Sequence, residues 1–317
     1  MKRLFRDAQG SVLAPRGSVV AIGAFDGIHR GHQHLLARVR DRAAMRGLDS
    51  AVVSFEPLPR QFFQGREQVT RLSSPRERVR EILARVDRVG LLRFDDELAK
   101  TEAADFVAAT LVGRLRAKEI WVGPGFRFGH ARRGDLALLQ SLGATHGFSA
   151  SEVDGIEQGG ARVSATRVRA LLGESRFEEA AVLLGRPFAM GGHVVRGAQL
   201  GRTLGYPTAN FRIRYGRAPV HGIFAVRVSG PGLDGWPAVA SLGTRPTVAG
   251  TEPLLEAHLF DFDGDLYGRL LSVEFVAKLR DERHFASLDA LVVQMADDAS
   301  AAREVLAAQN AKSGVTA

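Results

Sequence analysis

Cysteine is absent from the 317 residues, which excludes disulfides and thiolate-held metals and leaves the redox compartment open. Lysine is scarce as well. Only five of the 43 basic residues are lysines, and the arginines are spread along the chain rather than gathered into a tail. A formal net charge of +8 is compatible with nucleic-acid binding. Without a basic tail, the plainer reading is a solvated, arginine-biased surface that also attracts small polyanions. No run of 18 apolar residues occurs, so no spanning helix is expected. The basic start MKRLFRDAQG is not followed by the apolar core of a signal peptide, and a cytoplasmic location is the expectation. What is present is ordinary globular material, 45% hydrophobic and 25% charged, in a length that suits two domains.

The stretch GSVVAIGAFDGIHRGHQH, Gly17 to His34, organises the first half. Ser18 to Ile22 reads as a strand buried on both faces, Gly23 and Gly27 allow a sharp turn, and a helix follows from about His29. His29 and His32 then share one face of the first helical turn, beside unpaired backbone N–H groups and the positive end of the dipole. With Gly31 bare between them, a phosphate can lie against the main chain while both imidazoles donate to it. Phe25 and Asp26 complete the pattern Phe25-Asp26-Gly27-x-His29-x-Gly31-His32.

Strand and helix patterns keep alternating to about residue 153, which implies a parallel, doubly wound sheet with ligands at the carboxyl ends of its strands. Two prolines among aromatics in Phe55–Phe63 argue against regular structure there. The glycine-rich loop Gly123–Asp135 offers Arg132 as a phosphate clamp. Ser164, Thr166 and Arg169 open a helix, either as ordinary caps or as a phosphate cradle. Beyond Gly185-Arg186-Pro187 the alternation stops, and short glycine-punctuated strands indicate an antiparallel barrel. We place the boundary near residue 186. In the barrel, alternation puts Thr208 and Asn210 on one face, either as turn residues or as hard oxygen donors for Mg2+ held with phosphates. Leu255, Ala257 and Leu259 face one way from the next such segment, and Glu256, His258 and Phe260 the other. Asp263-Gly264 reads as a hairpin turn, Ser287 caps a last helix, and residues after about 310 look unstructured.

GAFDGIHRGH resembles the ATP-binding signature of the bacterial bifunctional riboflavin kinase/FMN adenylyltransferase (FAD synthetase) family. Its HxGH core is shared with a broad nucleotidyltransferase superfamily and with class I aminoacyl-tRNA synthetases, but no lysine-rich Lys-Met-Ser-Lys-Ser type loop is present. Gly123–Asp135 and Val163–Arg169 are similar to the family's second and third signatures, and GxxLGRxLGYPTAN to its kinase motif. The likeness runs in family order from about 17 to 305. It implies a Rossmann-like FMN adenylyltransferase domain at 1–185 and a β-barrel riboflavin kinase domain with a C-terminal helix at 186–317.

The implied reactions are riboflavin plus ATP to FMN, then FMN plus ATP to FAD and pyrophosphate. The resemblance makes Glu256 the general base of the kinase. His29 and His32 would stabilise developing charge in adenylyl transfer. Gly23, Phe25, Asp26, Gly31, Arg132, Ser164, Thr166 and Arg169 would hold ATP in the first domain, and Gly201, Thr208 and Asn210 in the second. Phe62, Phe128 and Arg280 would meet flavin, with Mg2+ at Thr208 and Asn210. Neither nucleic acid nor membrane is an expected partner, and the chain is expected to be a monomer or weak oligomer. Two positions depart from the pattern: Leu58 stands where histidine is common, and Gly125 where Asp or Asn is usual. A kinase whose adenylylating half has decayed at Gly125, a nucleotidyltransferase with another acceptor, and a basic nucleic-acid-binding protein stay open as alternatives.

Overall fold

A computed structural model describes residues 3–197, 200–213, 216–247 and 250–313. The first half runs β1 (Leu4–Phe5), β2 (Ser18–Ile22), α1 (Arg30–Arg46), β3 (Asp49–Glu56), α2 (Pro59–Gln64), α3 (Pro75–Leu83), β4 (Arg88–Arg93), α4 (Asp96–Lys100), α5 (Ala103–Phe106), β5 (Ala117–Val122), α6 (Leu136–His146) and β6 (Ser149–Glu152). All neighbours are parallel, in the order β1-β4-β3-β2-β5-β6. Successive residues of β2 explain why it lies centrally. Val20 and Ile22 join one core with Leu111 and Leu139, whereas Val19 and Ala21 join another with Leu36, Val39 and Ile82. A strand apolar on both faces needs helices on both sides.

From β2 the chain steps one way to β3 and β4, then returns to β5 on the other side and goes on to β6. This reversal opens a crevice outside the adjacent carboxyl ends of β2 and β5. The turn at Gly23 and the loop at Gly123 both start there.

Two sequence expectations change. Phe55–Phe63 is not irregular throughout, because α2 starts at Pro59, where proline costs no helical hydrogen bond. Its Gln61 side chain accepts from the Leu58 N–H at 3.3 Å. β1 carried no sequence signal. It pairs with β4, and Arg114 stacks over Phe5 at 5.1 Å while donating to the carbonyls of Asp7 and Gln9.

Glu119 on β5 ties the sheet to α1. It accepts from Arg42 Nε and Nη2 at 2.9 and 2.6 Å, from Arg46 Nη1 at 2.7 Å and from Trp121 Nε1 at 3.2 Å. The Arg42 hydrogen bonds outweigh burial and hold its carboxyl down to about 2. A carboxylate with a depressed folded pKa contributes stability above the unfolded value, and that contribution is lost as pH falls from about 4.5 towards 2. Glu119→Gln is therefore expected to cost on the order of 2 kcal/mol at pH 7, reduced from the full linkage value by exposure of the arginines, and to flatten the acid limb. Urea unfolding at pH 7 and pH 3 checks this, and an acid limb as steep as the wild type's assigns it to other carboxylates.

The second half continues with a hairpin of β7 (Glu157–Gln158) and β8 (Ala161–Arg162), then α7 (Ala165–Gly173), α8 (Phe177–Leu184), β9 (Ala189–His193), α9 (Leu200–Thr203), β10 (Ala209–Arg212), β11 (Gly222–Gly230), β12 (Leu233–Thr247), β13 (Gly250–Leu259), β14 (Leu270–Arg280) and α10 (Leu288–Ser313). The larger sheet is antiparallel, in the order β10-β13-β12-β11-β14-β9. Its two end strands approach each other through a Val195–Asn210 bridge, so it nearly closes into a barrel. The link between β13 and β14 spans residues 260–269 and is wider than the hairpin turn expected at Asp263-Gly264. α10 runs past residue 310, and its Ala302 and Leu306 pack on Ala225 and Phe260.

By contacts the chain divides at 165/166, earlier than the boundary near 186, with residues 70–72 joining the second unit. α8 goes with the barrel because buried Phe177 packs on Phe275 at 6.0 Å and edge-on to Phe224 at 5.9 Å. Among the described residues no helix is long and apolar enough to cross a membrane.

Candidate active site

In the first unit, His29 is the N-cap of α1. Its Nδ1 accepts from the His32 N–H at 3.3 Å, which satisfies one orphan donor of the helix start. Nδ1 being an acceptor, Nε2 carries the proton. The two imidazoles stack with centroids 3.7 Å apart, and Phe25 packs on His32 at 5.1 Å. A Cβ on residue 31 would come within 3.3 Å of the His29 ring, so Gly31 is what lets the pair close up. The Val163 carbonyl lies 3.5 Å from the same point and brings the segment before Ser164 beside the pair. Asp26, expected at the phosphate, is buried beside the turn. It accepts from the Ser73 N–H at 3.2 Å and from Ser73 Oγ at 3.3 Å, while Ser73 Oγ accepts from the Gly27 N–H at 3.1 Å. Thr166 and Arg169 lie on α7, which belongs to the second unit, and Arg169 Nε donates to the Thr70 carbonyl at 2.8 Å.

Beyond β3, β4 and β5 the aromatics form one connected line. Phe62 meets Phe63 and Phe94, Phe94 meets Phe55, Phe55 meets Phe106, and Phe106 meets Phe128, which stacks on Phe126 at 5.4 Å. Phe62 and Phe128, picked from different loops, thus belong to one cluster. Phe55, Phe94 and Phe106 were missed, since nothing local tells such a residue from ordinary core. Leu58 is buried at 4% exposure and is a packing residue. Arg132 is exposed and, among the described residues, makes no side-chain hydrogen bond or ion pair. Gly125 has φ 72° and donates its N–H to Glu152 Oε2 at 3.1 Å. A Cβ there meets nothing within 4 Å, so only the backbone angle resists a side chain, and asparagine tolerates that angle best.

In the second unit, Gly201, Thr208, Asn210, Glu256 and Arg280 all line one cavity of about 560 Å³. Strand register explains the convergence. Glu256 on β13 sits opposite Asn210 on β10 and Ser241 on β12, so the three form a row across the sheet. Asn210 Nδ2 donates to Thr208 Oγ1 at 2.9 Å, and His258 Nδ1 lies 2.8 Å from the Pro207 carbonyl. Leu255, Ala257 and Leu259 are buried on the opposite face, as the alternation predicts. A second cavity of about 430 Å³ is lined by Phe262, Asp265 and Tyr267, and both Thr208 and Arg196 line the two cavities. Arg280, expected at the flavin, lines the larger cavity together with Asp298. It donates to Asp298 on α10 through Nε at 2.8 Å and Nη2 at 2.6 Å, and to the Asp281 carbonyl at 2.8 Å. Ser241 and Asp298 were not signalled in the sequence, because register and helix docking decide where they point.

Two family models match the chain: FAD synthetase over residues 12–167 and riboflavin kinase over 184–306. The bifunctional riboflavin kinase/FMN adenylyltransferase of Pseudomonas fluorescens is 46% identical over 295 residues, covering 92% of this chain and 94% of that protein. Its counterpart in Escherichia coli K12 is 44% identical over 304 residues, covering 95% and 97%. The chain belongs to the bifunctional riboflavin kinase/FMN adenylyltransferase family. A crystal structure described as a macrolide-efflux protein from Streptococcus pneumoniae superposes with a TM-score of 0.77 at 30% identity, over 95% of this chain and 98% of that one. The FAD synthetase match covers the His29/His32 turn, the aromatic line and the Gly125 loop, and the riboflavin kinase match covers both cavities of the barrel.

Proposed function

We propose that the barrel unit phosphorylates riboflavin to FMN and that the first unit adenylylates FMN to FAD. The observation that carries this reading is the row of Asn210, Glu256 and Ser241 on one cavity wall, with Thr208 shared by the neighbouring cavity. Riboflavin occupies the larger cavity and ATP the smaller, so the γ-phosphate arrives at Thr208. Glu256 takes the proton of the ribityl 5'-hydroxyl as its oxygen attacks the γ-phosphorus and ADP leaves. Arg280, bound to Asp298, serves the flavin by anchoring the loop that follows it.

Among the described residues no group of three or more His, Asp or Glu could hold a metal by itself. The Thr208 hydroxyl and the Asn210 amide oxygen are hard donors, and they fit a Mg2+ ion that is held mostly by phosphates. Bound there, the ion offsets negative charge on those phosphates.

In the first unit a phosphate oxygen of FMN attacks the α-phosphorus of ATP and pyrophosphate leaves, with no protein nucleophile. His29 Nε2–H, His32 and the N–H groups of α1 stabilise the charge that develops. Gly23, Gly31 and Phe25 shape the turn, and Arg132 and Ser164 hold phosphate. The aromatic line from Phe62 to Phe128 offers the isoalloxazine ring a stacking surface. We place both reactions in the cytoplasm, in a monomer or weak oligomer.

Incubation with riboflavin, ATP and Mg2+, with FMN and FAD resolved by chromatography, tests the reading; FMN accumulating without FAD favours a decayed first unit. A fragment of residues 166–317 is expected to fold and make FMN alone. One starting at 186 loses Phe177, whose removal from this core costs about 3–5 kcal/mol, and should be far less stable. A folded but inactive 166–317 fragment overturns the assignment of the kinase to the barrel unit.

A further inference from the structure

Arg78 is fully buried on α3, yet neither proposed reaction uses it. Its Nη1 donates to the Ala24 carbonyl at 2.9 Å, inside the nucleotide turn. Its Nη2 donates to the Phe55 carbonyl at 2.8 Å and to Glu56 Oε2 at 2.7 Å, where β3 leads into the loop carrying Phe62. One guanidinium thus bridges the two segments that leave the carboxyl ends of β2 and β3. Ser54 Oγ adds a second donor to the Ala24 carbonyl at 3.1 Å.

The turn that Arg78 holds is strained. Phe25 and Ile28 have φ of 51° and 45°, and both are fully buried. Such angles at non-glycine residues cost on the order of 1–3 kcal/mol each and persist only where the surroundings enforce them. The segment entering α3 supplies that enforcement. Ser73 engages Asp26 and Gly27, Ser74 caps the helix in a capping box with Glu77, and Arg78 follows one turn later. A guanidinium fork reaches acceptors on both segments at once, which a single ammonium cannot do.

We infer that Arg78 is a positioning residue for adenylyl transfer: it fixes the separation between the phosphate turn at 23–29 and the flavin-side loop at 57–64. This rests on the reading of the first unit given above. In such a reaction the attacking phosphate and the α-phosphorus come from ligands held on different segments, so a shift between the segments spoils alignment more than it weakens either ligand's binding. A misplacement of about 1 Å costs about 10²-fold in rate. The effect should fall on kcat, with KM for ATP little changed.

The test uses the full chain carrying Arg78→Lys or Glu56→Gln, with kcat and KM for FMN and ATP in FAD formation, riboflavin phosphorylation as an internal control, and thermal unfolding. Arg78→Lys is expected to lower kcat for FAD formation by about 10- to 100-fold, with KM for ATP and the kinase rate unchanged. Glu56→Gln keeps an acceptor oxygen but removes the charge partner, and a smaller fall in kcat is expected. It decides the matter if Arg78→Lys does not fold. Wild-type kcat in a folded Arg78→Lys, or in Glu56→Gln when the first variant is unfolded, overturns the inference. So does a loss that appears only in KM for ATP, or equal loss of both activities. Failure of the underlying reading is distinguishable, since wild-type protein would then make no FAD.

Discussion

Glu256→Gln is expected to lower riboflavin phosphorylation by at least about 10²-fold while FMN is still converted to FAD. The substitution keeps the shape of the side chain and a carbonyl oxygen, so the row with Asn210 and Ser241 and the cavity wall survive. What disappears is the capacity to accept the ribityl proton, and general-base contributions of this kind are about 10²- to 10⁴-fold. Glu256 borders the cavity half-buried, and the buried Leu255 and Ala257 on the other face fix its direction. Separate assays with riboflavin and with FMN distinguish the two reactions. A Gln variant that phosphorylates riboflavin at the wild-type rate removes Glu256 from the role of base, and one that loses both reactions equally points to misfolding.

The second large effect is at His29. His29→Ala removes two things: the cap acceptor for the His32 N–H, worth about 0.5–2 kcal/mol of stability, and the Nε2–H that we propose donates to phosphate. His29→Asn separates them, because asparagine is among the best N-caps but lacks that donor and the ring stacked on His32. Both variants are expected to lose FAD formation by about 10²-fold or more, with riboflavin phosphorylation unaffected. Only the alanine variant should also melt earlier. Full FAD synthesis by His29→Asn would mean that the residue is a cap and nothing more, and parallel loss of both activities would count against two separate sites.

Local chemistry was legible before any coordinates. The apolar run of β2, the glycine turn, the histidine spacing and the period-two pattern around Glu256 each involve residues close in sequence, where periodicity and turn preference act directly. The same locality explains why the ordered motifs identify both halves of the chain. What the sequence did not show had a common cause. Nothing near Asp26 in the sequence announces that Ser73, brought in from a distant segment, donates to its carboxylate. Nothing around Arg280 in the sequence announces Asp298, which the docking of α10 brings to its guanidinium. Helices α7 and α8 continue the helical pattern of the first half, yet the fit of Phe177 against Phe224 and Phe275 assigns α8 to the barrel. The sequence alone determined which chemical groups the protein possesses and on which kinds of element they lie. Tertiary structure decided which of those groups are spent on each other and which remain for a ligand, because a charge or hydroxyl can be claimed by any partner the fold brings within about 3 Å, however far away that partner is in the chain.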